Sequence, residues 1–509
     1  LFKKILIANR GEIAVRIITT AKELGVKTVA VYSDFDRYSL YAKLADEAYH
    51  IGESPAAKSY LLAERIIEVA KKSGADAIHP GYGFLSERAV FASLCAAEGI
   101  KFIGPPPAAI DDLGSKTKAK QLAIKHKVPV VSGSDKAVKD FEEGKGIAYK
   151  VGYPVMIKAS AGGGGKGMRV VRSEAELESS LRMAQNEARS SFGDDSVFIE
   201  KYVDSPRHIE FQILVDEHGN AVHLGERECS MQRRHQKIIE ETPSPVMDEK
   251  LRHEMGECAK RIALAAGYYN AGTVEFMVDK DKNFYFLEVN TRLQVEHPIT
   301  EMRTGLDLVR EQLRIASGEK LGFTQNDVKF RGHAIECRIC AEDPDSNFMP
   351  STGKIVYMNR TLGNGMREDT GIEQGNEISI YYDSMISKLI SYGATREIAA
   401  DKMKRALRDF VIQGPKTNIN FLLSLLESPE YLPGDYDTQY VERTFLPRLK
   451  SSEMEQKKEI TPVLENALAT ASVLFKEKFE SRGNAGLKTV TKSKSTKSSA
   501  RSWLNRKIL

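Results

Sequence analysis

Gly272-Thr-Val-Glu-Phe-Met-Val278, Asp279-Lys-Asp-Lys-Asn283 and Phe284-Tyr-Phe-Leu-Glu-Val-Asn-Thr-Arg292 follow one another without a break, and their pattern decides the fold. The first and third segments alternate like strands, and the second is a polar turn rich in turn formers. A hairpin centred on Asp281 and Lys282 sets Glu275 directly across from Glu288. The two-residue period then places Glu288, Asn290 and Arg292 on one face. Carboxylates facing each other on adjacent strands repel unless a cation lies between them. Oxygen ligands of this kind suit magnesium, completed by phosphate oxygens and water. The alternative is a solvated hairpin whose acids never meet. Gln294-Val-Glu-His-Pro298 continues with another acid and a histidine before a proline that ends regular structure. An arginine and a carboxylate this close to a metal can position and deprotonate a small anion, which makes the segment a reaction centre.

The chain has 509 residues, too many for one core, and suggests three or four domains. Its 41% hydrophobic and 28% charged content are ordinary for a globular protein. No apolar run approaches the ~20 residues needed to span a bilayer, and no secretory leader opens the chain. Leu1 to Ala8 reads as a buried strand, with Leu1 where a start methionine is usual. Five scattered cysteines, Cys95, Cys229, Cys258, Cys337 and Cys340, are odd in number. A disulfide framework is therefore not expected, and a reducing cytoplasm is. The lone Cys337/Cys340 pair lacks the second pair a zinc site needs and is read as structural. Net charge is +4, but eight of the cations lie from Arg482 onward with no acid among them, which leaves −4 for the rest. The body is mildly acidic, so neither a nucleic-acid partner nor a membrane is expected. The lysine- and serine-rich tail reads as a loose or docking segment.

Residues 1–113 alternate strands (Lys4 to Ala8, Thr28 to Tyr32, Ala77 to His79, Lys101 to Gly104) with helices such as Ile13 to Leu24. This is the rhythm of an open, Rossmann-like parallel sheet. Its first turn, Asn9-Arg-Gly-Glu12, is not a dinucleotide fingerprint. Pro105-Pro-Pro107 ends the unit, and a helix around Ser115 to His126 leads into the next, 114–318, which contains a small α/β lid at about 128–203. Residues 331–446 begin with strands and turns and include a helix from Ile398 to Leu407. The extension 450–509 holds an amphipathic helical pattern from Pro462 to Phe479, with Leu464, Ala467, Leu468, Ala471 and Phe475 on one stripe.

Ala159-Ser-Ala-Gly-Gly-Gly-Gly-Lys-Gly-Met168 joins two strands, Pro154 to Lys158 and Met168 to Val171. Consecutive glycines let backbone amides close around phosphate oxygens, and Lys158 and Lys166 add positive charge. The order is not that of a Walker loop; a flap over a nucleotide fits it better than a flexible linker does. Val197-Phe-Ile-Glu-Lys-Tyr-Val203 is either a hinge whose backbone can hydrogen-bond an adenine ring or an ordinary joining strand. Ser230-Met-Gln-Arg-Arg-His-Gln-Lys237 is either an exposed basic loop or a pocket for phosphate and a second anion. His208, taken alone, is more often a packed histidine than a ligand.

Taken together, these segments resemble the biotin carboxylases, a branch of the ATP-grasp superfamily. The resemblance runs from Lys4 to about Leu446. It rests on Ile7-Ala-Asn-Arg-Gly-Glu-Ile-Ala14, His79-Pro-Gly-Tyr-Gly-Phe-Leu-Ser-Glu87, the glycine run, Ser230 to Lys237, Glu288 to His297, Gly332-His-Ala-Ile-Glu-Cys-Arg338 and Tyr381-Tyr-Asp-Ser-Met385. It implies a Rossmann-like N-terminal domain, an ATP-grasp fold with a mobile glycine-rich lid and a biotin carboxylase C-terminal domain. The implied reaction joins ATP and bicarbonate into carboxyphosphate, which supplies carbon dioxide to biotin N1′. Nucleotide contacts are implied for Lys116, Lys158, Gly163, Gly164, Gly165, Gly167, Glu200, Lys201, Val203, His208, Gln232, His235, Glu275, Met277 and Glu288. Magnesium or manganese would be held by Glu275, Glu288 and Asn290. Bicarbonate would lie among Lys237, Arg292, Gln294 and Val295 with Glu296 as its base. Arg338 would steady the biotin enolate, and Tyr82 and Asp383 would line the biotin pocket.

Two departures stand out: Cys340, where the family often has asparagine, and the tail beyond Leu449. An unfused chain with such an extension looks like the biotin carboxylase component of archaeal acetyl- or propionyl-CoA carboxylases. The alternatives are the biotin carboxylase component of a split pyruvate carboxylase, another ATP-grasp ligase and, third, a non-catalytic scaffold. The only Met-Lys pair, Met403-Lys404, falls in an expected helix rather than at a carrier hairpin tip, and no carboxyltransferase region is recognised. Biotin is therefore expected as a substrate on a separate carrier protein, not bound to this chain. A carboxyltransferase and a second copy of the chain are the other expected partners.

Overall fold

Lys4–Ile7 (β1), Lys27–Ser33 (β2), Glu47–Gly52 (β3), Ala77–His79 (β4) and Lys101–Phe102 (β5) pair in parallel in the order β3-β2-β1-β4-β5. Helices α1 (Gly11–Glu23), α2 (Leu40–Leu44), α3 (Ala63–Ser73), α4 (Ala89–Ala97) and α5 (Pro107–Gly114) connect and follow these strands. This is the expected Rossmann-like arrangement. The computed structural model describes residues 1–134, 136–159 and 168–451. The glycine run with Gly163, Gly164, Gly165 and Gly167, and the helix expected over Pro462 to Phe479, lie outside the described residues.

In α1, Ile13, Ala14, Ile17, Ile18 and Ala21 recur at helical spacing and are all buried. They share a core with Ile5 and Ile7 of β1, and that core continues into Leu214, Leu224, Leu308 and Leu313 of the following segment. One apolar volume therefore joins the first sheet to the next.

Helix α6 (Lys116–Lys125), capped by the Ser115 hydroxyl, leads into a separate small layer. There Val155–Ala159 (β6), Met168–Val171 (β7) and Val197–Lys201 (β8) form an antiparallel sheet in the order β7-β6-β8. Helices α7 (Phe141–Val151) and α8 (Glu174–Phe192) cover it, with a private core that includes Val155, Ile157, Leu177, Leu181 and Ile199.

The largest sheet is antiparallel throughout. It comprises β9 (Arg207–Val215), β10 (Ala221–Arg233), β11 (Gln236–Thr242), β12 (Asn270–Val278), β13 (Phe284–Asn290), β14 (His333–Cys340), β19 (Met366–Thr370) and β21 (Met385–Gly393). Their order is β13-β12-β9-β10-β11-β14-β21-β19. The sheet crosses the stretch at 318–331 that divides the sequence: β11 pairs with β14 through Ile239↔Cys337, Glu240↔Glu336 and Glu241↔Ile335. Helices α9 (Glu249–Ala265), α10 (His297–Thr304) and α11 (Leu308–Ala316) pack beside it.

Short ribbons complete the C-terminal part: β15 (Glu342–Asp343) with β16 (Met349–Pro350), β17 (Gly353–Lys354) with β20 (Glu377–Ile378), and β18 (Tyr357–Asn359) with β22 (Val411–Gln413). Helices α12 (Arg396–Asp409) and α13 (Ile419–Leu426) follow. Met403 is buried in α12 and Lys404 is ion-paired with Asp401 at 2.7 Å, so this Met-Lys pair presents no carrier tip. Residues 1–445 form one compact unit; of the second, residues 446–451 are helical. No described helix is long and apolar enough to cross a membrane.

Gly371, just after β19, meets the backbone of α1. A Cβ there would lie 2.5 Å from the Gly11 carbonyl carbon and 2.6 Å from the Glu12 nitrogen. Gly371→Ala must push β19 away from α1, and a loss of ~1–3 kcal/mol is expected from overpacking. Thermal melting checks it, and an unchanged midpoint would dismiss the close approach.

Candidate active site

The hairpin of β12 and β13 has the register its sequence predicts, with Glu275 opposite Glu288. A bulge between Glu275 and Phe276 takes up the extra residue Leu287. Asp279 and Asn283 close the turn, with Lys282 at φ 63. Across the sheet the row continues: Glu275 lies opposite Glu210 of β9, and Glu210 opposite Arg227 of β10. Directly opposed residues share a face, so three carboxylates and a guanidinium line up across four strands.

Ser230 to Lys237 is not a loop, and Gln232, His235 and Lys237 within it line a cleft. It forms the end of the β10–β11 hairpin, turned through Arg234 and His235 at φ 49 and 64. The hairpin aims Lys237 into the acidic row. Its Nζ lies 2.5 Å from Glu210, 3.0 Å from Glu275 and 2.8 Å from Glu296. Burial works against the ammonium, but the three carboxylates outweigh it and hold its pKa well above the ordinary value. Around this ammonium lie His208, Glu210, Glu275, Cys229 and Glu296, whose donor atoms are grouped closely enough to suggest a metal. Lys237 supplies the positive charge that Glu210, Glu275 and Glu296 share.

Glu288 differs. Burial and then the neighbouring Glu275 push its pKa up, the behaviour of a carboxylate facing another without a cation between them. Asn290 donates its amide to Glu275 at 2.8 Å and accepts from Arg292 at 3.1 Å. Turning that amide over would present its oxygen beside the two carboxylates. Glu275, Glu288 and Asn290 thus fit a hard divalent cation held through oxygen. Glu275 is meanwhile held ionised: burial opposes it, but Lys237 and His208 prevail, His208 Nε2 lying 3.0 Å away.

Glu296 is fully buried just before α10. Lys237 meets one of its oxygens, and Arg338 of β14 donates to the other at 2.9 Å. Burial alone would raise its pKa, yet Lys237, Arg338 and Arg227 hold it well below the ordinary carboxylate value. Arg338 also donates to Glu240 at 2.6 Å, and burial pushes Glu240 up to about 7. Arg292 is fixed by Glu87 at 2.9 Å and by Gln294 at 2.9 Å.

Lys237, Glu275, Glu288, Asn290, Arg292 and Arg338 border a cleft of about 1430 Å³. Every described residue the resemblance implicates lines it, except Glu296, which lies behind the wall and is reached through Lys237 and Arg338. At one end Lys116, Lys158, Glu200, Lys201, Val203, His208, Gln232, His235 and Met277 come together with apolar Val131, Met156, Phe198 and Phe286. Glu200 draws in Lys158 at 2.7 Å and Lys120 at 2.8 Å, while the Lys201 ammonium donates to the carbonyls of Gly152 and Tyr153. At the other end Tyr82, Arg338 and Asp383 meet Cys340. Cys337 is fully buried, both thiols are free, and burial keeps the Cys340 thiol protonated.

Glu210, Glu240, Glu87, Lys120 and Arg227 were not singled out from the sequence. Lys120 follows Lys116 at helical spacing and Glu210 follows His208 at strand spacing, signals that could have marked both. Glu240 gives none, because its partner Arg338 is 98 residues away.

Three family models match the chain: "Biotin carboxylase, N-terminal domain" over 1–110, "Carbamoyl-phosphate synthase L chain, ATP binding domain" over 115–324 and "Biotin carboxylase C-terminal domain" over 336–443. A pyruvate carboxylase subunit of Methanothermobacter thermautotrophicus is 53% identical, covering 87% of this chain and 90% of that protein. Biotin carboxylase 1 of Bacillus subtilis is 51% identical, covering 87% and 98%. The alpha chain of mitochondrial methylcrotonoyl-CoA carboxylase from Mus musculus is 53% identical, but the match spans only 61% of it. Among solved structures, a biotin carboxylase–β,γ-ATP complex from Campylobacter jejuni has a TM-score of 0.83 at 48% identity, covering 87% of this chain and 99% of that one. The biotin carboxylase domain dimer of Hydrogenobacter thermophilus 2-oxoglutarate carboxylase, with MgADP, ADP and bicarbonate, has a TM-score of 0.82 at 48% identity, covering 87% and 97%.

Proposed function

The chain belongs to the biotin carboxylases, and on that basis we propose that it carboxylates biotin at the expense of ATP and bicarbonate, through carboxyphosphate. The observation that carries this reading is the acidic row Glu288–Glu275–Glu210 beside the linked triad Lys237–Glu296–Arg338.

The nucleotide lies at the end of the cleft with Lys116, Lys158 and Met277, its phosphates toward Glu275 and Glu288. Glu275, Glu288 and Asn290 would hold magnesium, which would supply charge neutralisation for phosphoryl transfer. Bicarbonate lies among Lys237, Arg292, Gln294 and Val295. Its negative charge competes with Glu296 for Lys237, so the cation that depresses Glu296 is shared once the substrate is bound. Glu296 then becomes basic enough to take the bicarbonate proton as a bicarbonate oxygen attacks the γ-phosphorus, the bond to the bridging oxygen breaks and ADP leaves. Carboxyphosphate splits into carbon dioxide and phosphate, and the phosphate takes the N1′ proton of biotin. Arg338, released from Glu296 on proton transfer, steadies the resulting negative oxygen between Tyr82 and Asp383 while N1′ takes up the carbon dioxide.

The biotin is carried on a separate protein and passed to a carboxyltransferase, with acetyl- or propionyl-CoA as the acyl acceptor; this chain works as a dimer within that complex. Identity to the Methanothermobacter pyruvate carboxylase chain favours pyruvate as the second reading. Co-purification of the transferase, followed by assay of its acceptor, separates the two.

The purified chain is expected to cleave ATP only with bicarbonate and magnesium, faster with free biotin. Glu288→Gln should shift the magnesium requirement upward by at least ~10–100-fold. A magnesium titration identical to wild type would remove Glu288 from the metal site, and ATP cleavage indifferent to bicarbonate would remove the reading as a whole.

A further inference from the structure

Lys388 lies in β21 with no exposed surface. It is directly opposite Arg338 on one neighbouring strand and Asp369 on the other, so all three share a face. Its Nζ donates to the backbone oxygen of Val295 at 2.9 Å, and lies 3.3 Å from Glu12 and 3.7 Å from Asp369. Burying an ammonium is strongly unfavourable unless it is paired, and an apolar side chain would fill the same space without that cost. Val295 is the residue immediately before Glu296, so whatever holds its carbonyl holds the backbone on which the buried carboxylate is mounted.

Resting on the function proposed above, we infer that Lys388 is a positioning residue for the bicarbonate step. It pins the Val295 carbonyl, sets Glu296 between Lys237 and Arg338, and is itself aimed by Glu12 and Asp369. Glu12 opens α1 and Asp369 lies in β19, so the pin engages only when the first sheet and the C-terminal strands are packed together. Gly371 permits that packing by meeting the backbone of Gly11 and Glu12. The two anchors differ: Asp369 is held ionised at about 2 against burial by Lys388 and Arg367, whereas burial lifts Glu12 to about 7. Asp369 is the standing counter-ion, and Glu12 meets the Lys388 ammonium at 3.3 Å.

The test is the pair E12Q and K388M combined, which leaves Asp369 bonded to Arg367 at 2.7 Å through both oxygens. Bicarbonate-dependent ATP cleavage is expected to fall about 10²-fold, the cost of a small misplacement at a distance from the chemistry. KM for bicarbonate should rise while KM for ATP stays within about twofold. K388R, which keeps the charge but not its position, should melt with wild type and raise KM for bicarbonate alone, by a smaller factor. A double variant with wild-type kinetics, or one losing both KM values in step with its melting point, overturns the inference. If the double variant does not fold, K388R decides: kinetics indistinguishable from wild type would overturn it. Absence of bicarbonate-dependent cleavage in the wild-type chain would instead defeat the function proposed above, so the two failures are distinct.

Discussion

Glu296→Gln is expected to reduce bicarbonate- and biotin-dependent ATP cleavage by about 10²–10⁴-fold, the range a positioned general base supplies. The amide keeps the size of the carboxyl and removes its capacity to take a proton. The cations around it do not lose all their partners. Lys237 still faces Glu210 at 2.5 Å and Glu275 at 3.0 Å, and Arg338 still donates to Glu240 at 2.6 Å. The folded state therefore survives, and ATP binding at the far end of the cleft should stay within a few-fold by titration calorimetry. Arg338→Met should show the same split, losing the biotin-dependent rate while nucleotide still binds. Turnover of Glu296→Gln within about tenfold of wild type would rule out the proton-accepting role.

The second large effect is on stability. Arg227 is among the largest fully buried side chains, bonded to Glu210 at 2.6 Å, Gln212 at 2.7 Å, Thr273 at 3.0 Å and Thr300 at 3.1 Å. Arg227→Met removes one member of this network and leaves the others buried. Breaking a buried pair by deleting one partner costs ~3–5 kcal/mol. Lys237 keeps Glu210 neutralised, which limits the loss, but Gln212 and both threonines lose their donor. Urea unfolding followed by circular dichroism is the appropriate measurement. A change under ~1 kcal/mol would show that the sheet tolerates the gap.

The register of β12 against β13 was legible in the residues themselves. Strand side chains alternate and Asp279 to Asn283 can only turn, which brings Glu275 near Glu288; the bulge at Leu287 then sets the two directly opposite. Four of the five parallel strands of the first sheet were legible from their local pattern, as were the helices at Gly11–Glu23 and Arg396–Asp409, whereas the edge strand β3 was not. The hairpin nature of Ser230 to Lys237 was not, because Arg-His is a poor advertisement for a two-residue turn, and the positive φ values are imposed by the long strands on either side.

What the residues determined alone is a family and an inventory: which acids, cations and amides are available, and which of them alternate along a strand. What only the folded chain decided is who meets whom. Lys237 reaches Glu296 across 59 residues, Lys388 reaches Val295 across 93 and Arg338 reaches Glu240 across 98. Those meetings depend on strand order in the large sheet, where β14 docks beside β11 and carries the C-terminal segment into the reaction centre. Strand order is selected by the burial of whole faces, a collective quantity that no short stretch of residues contains.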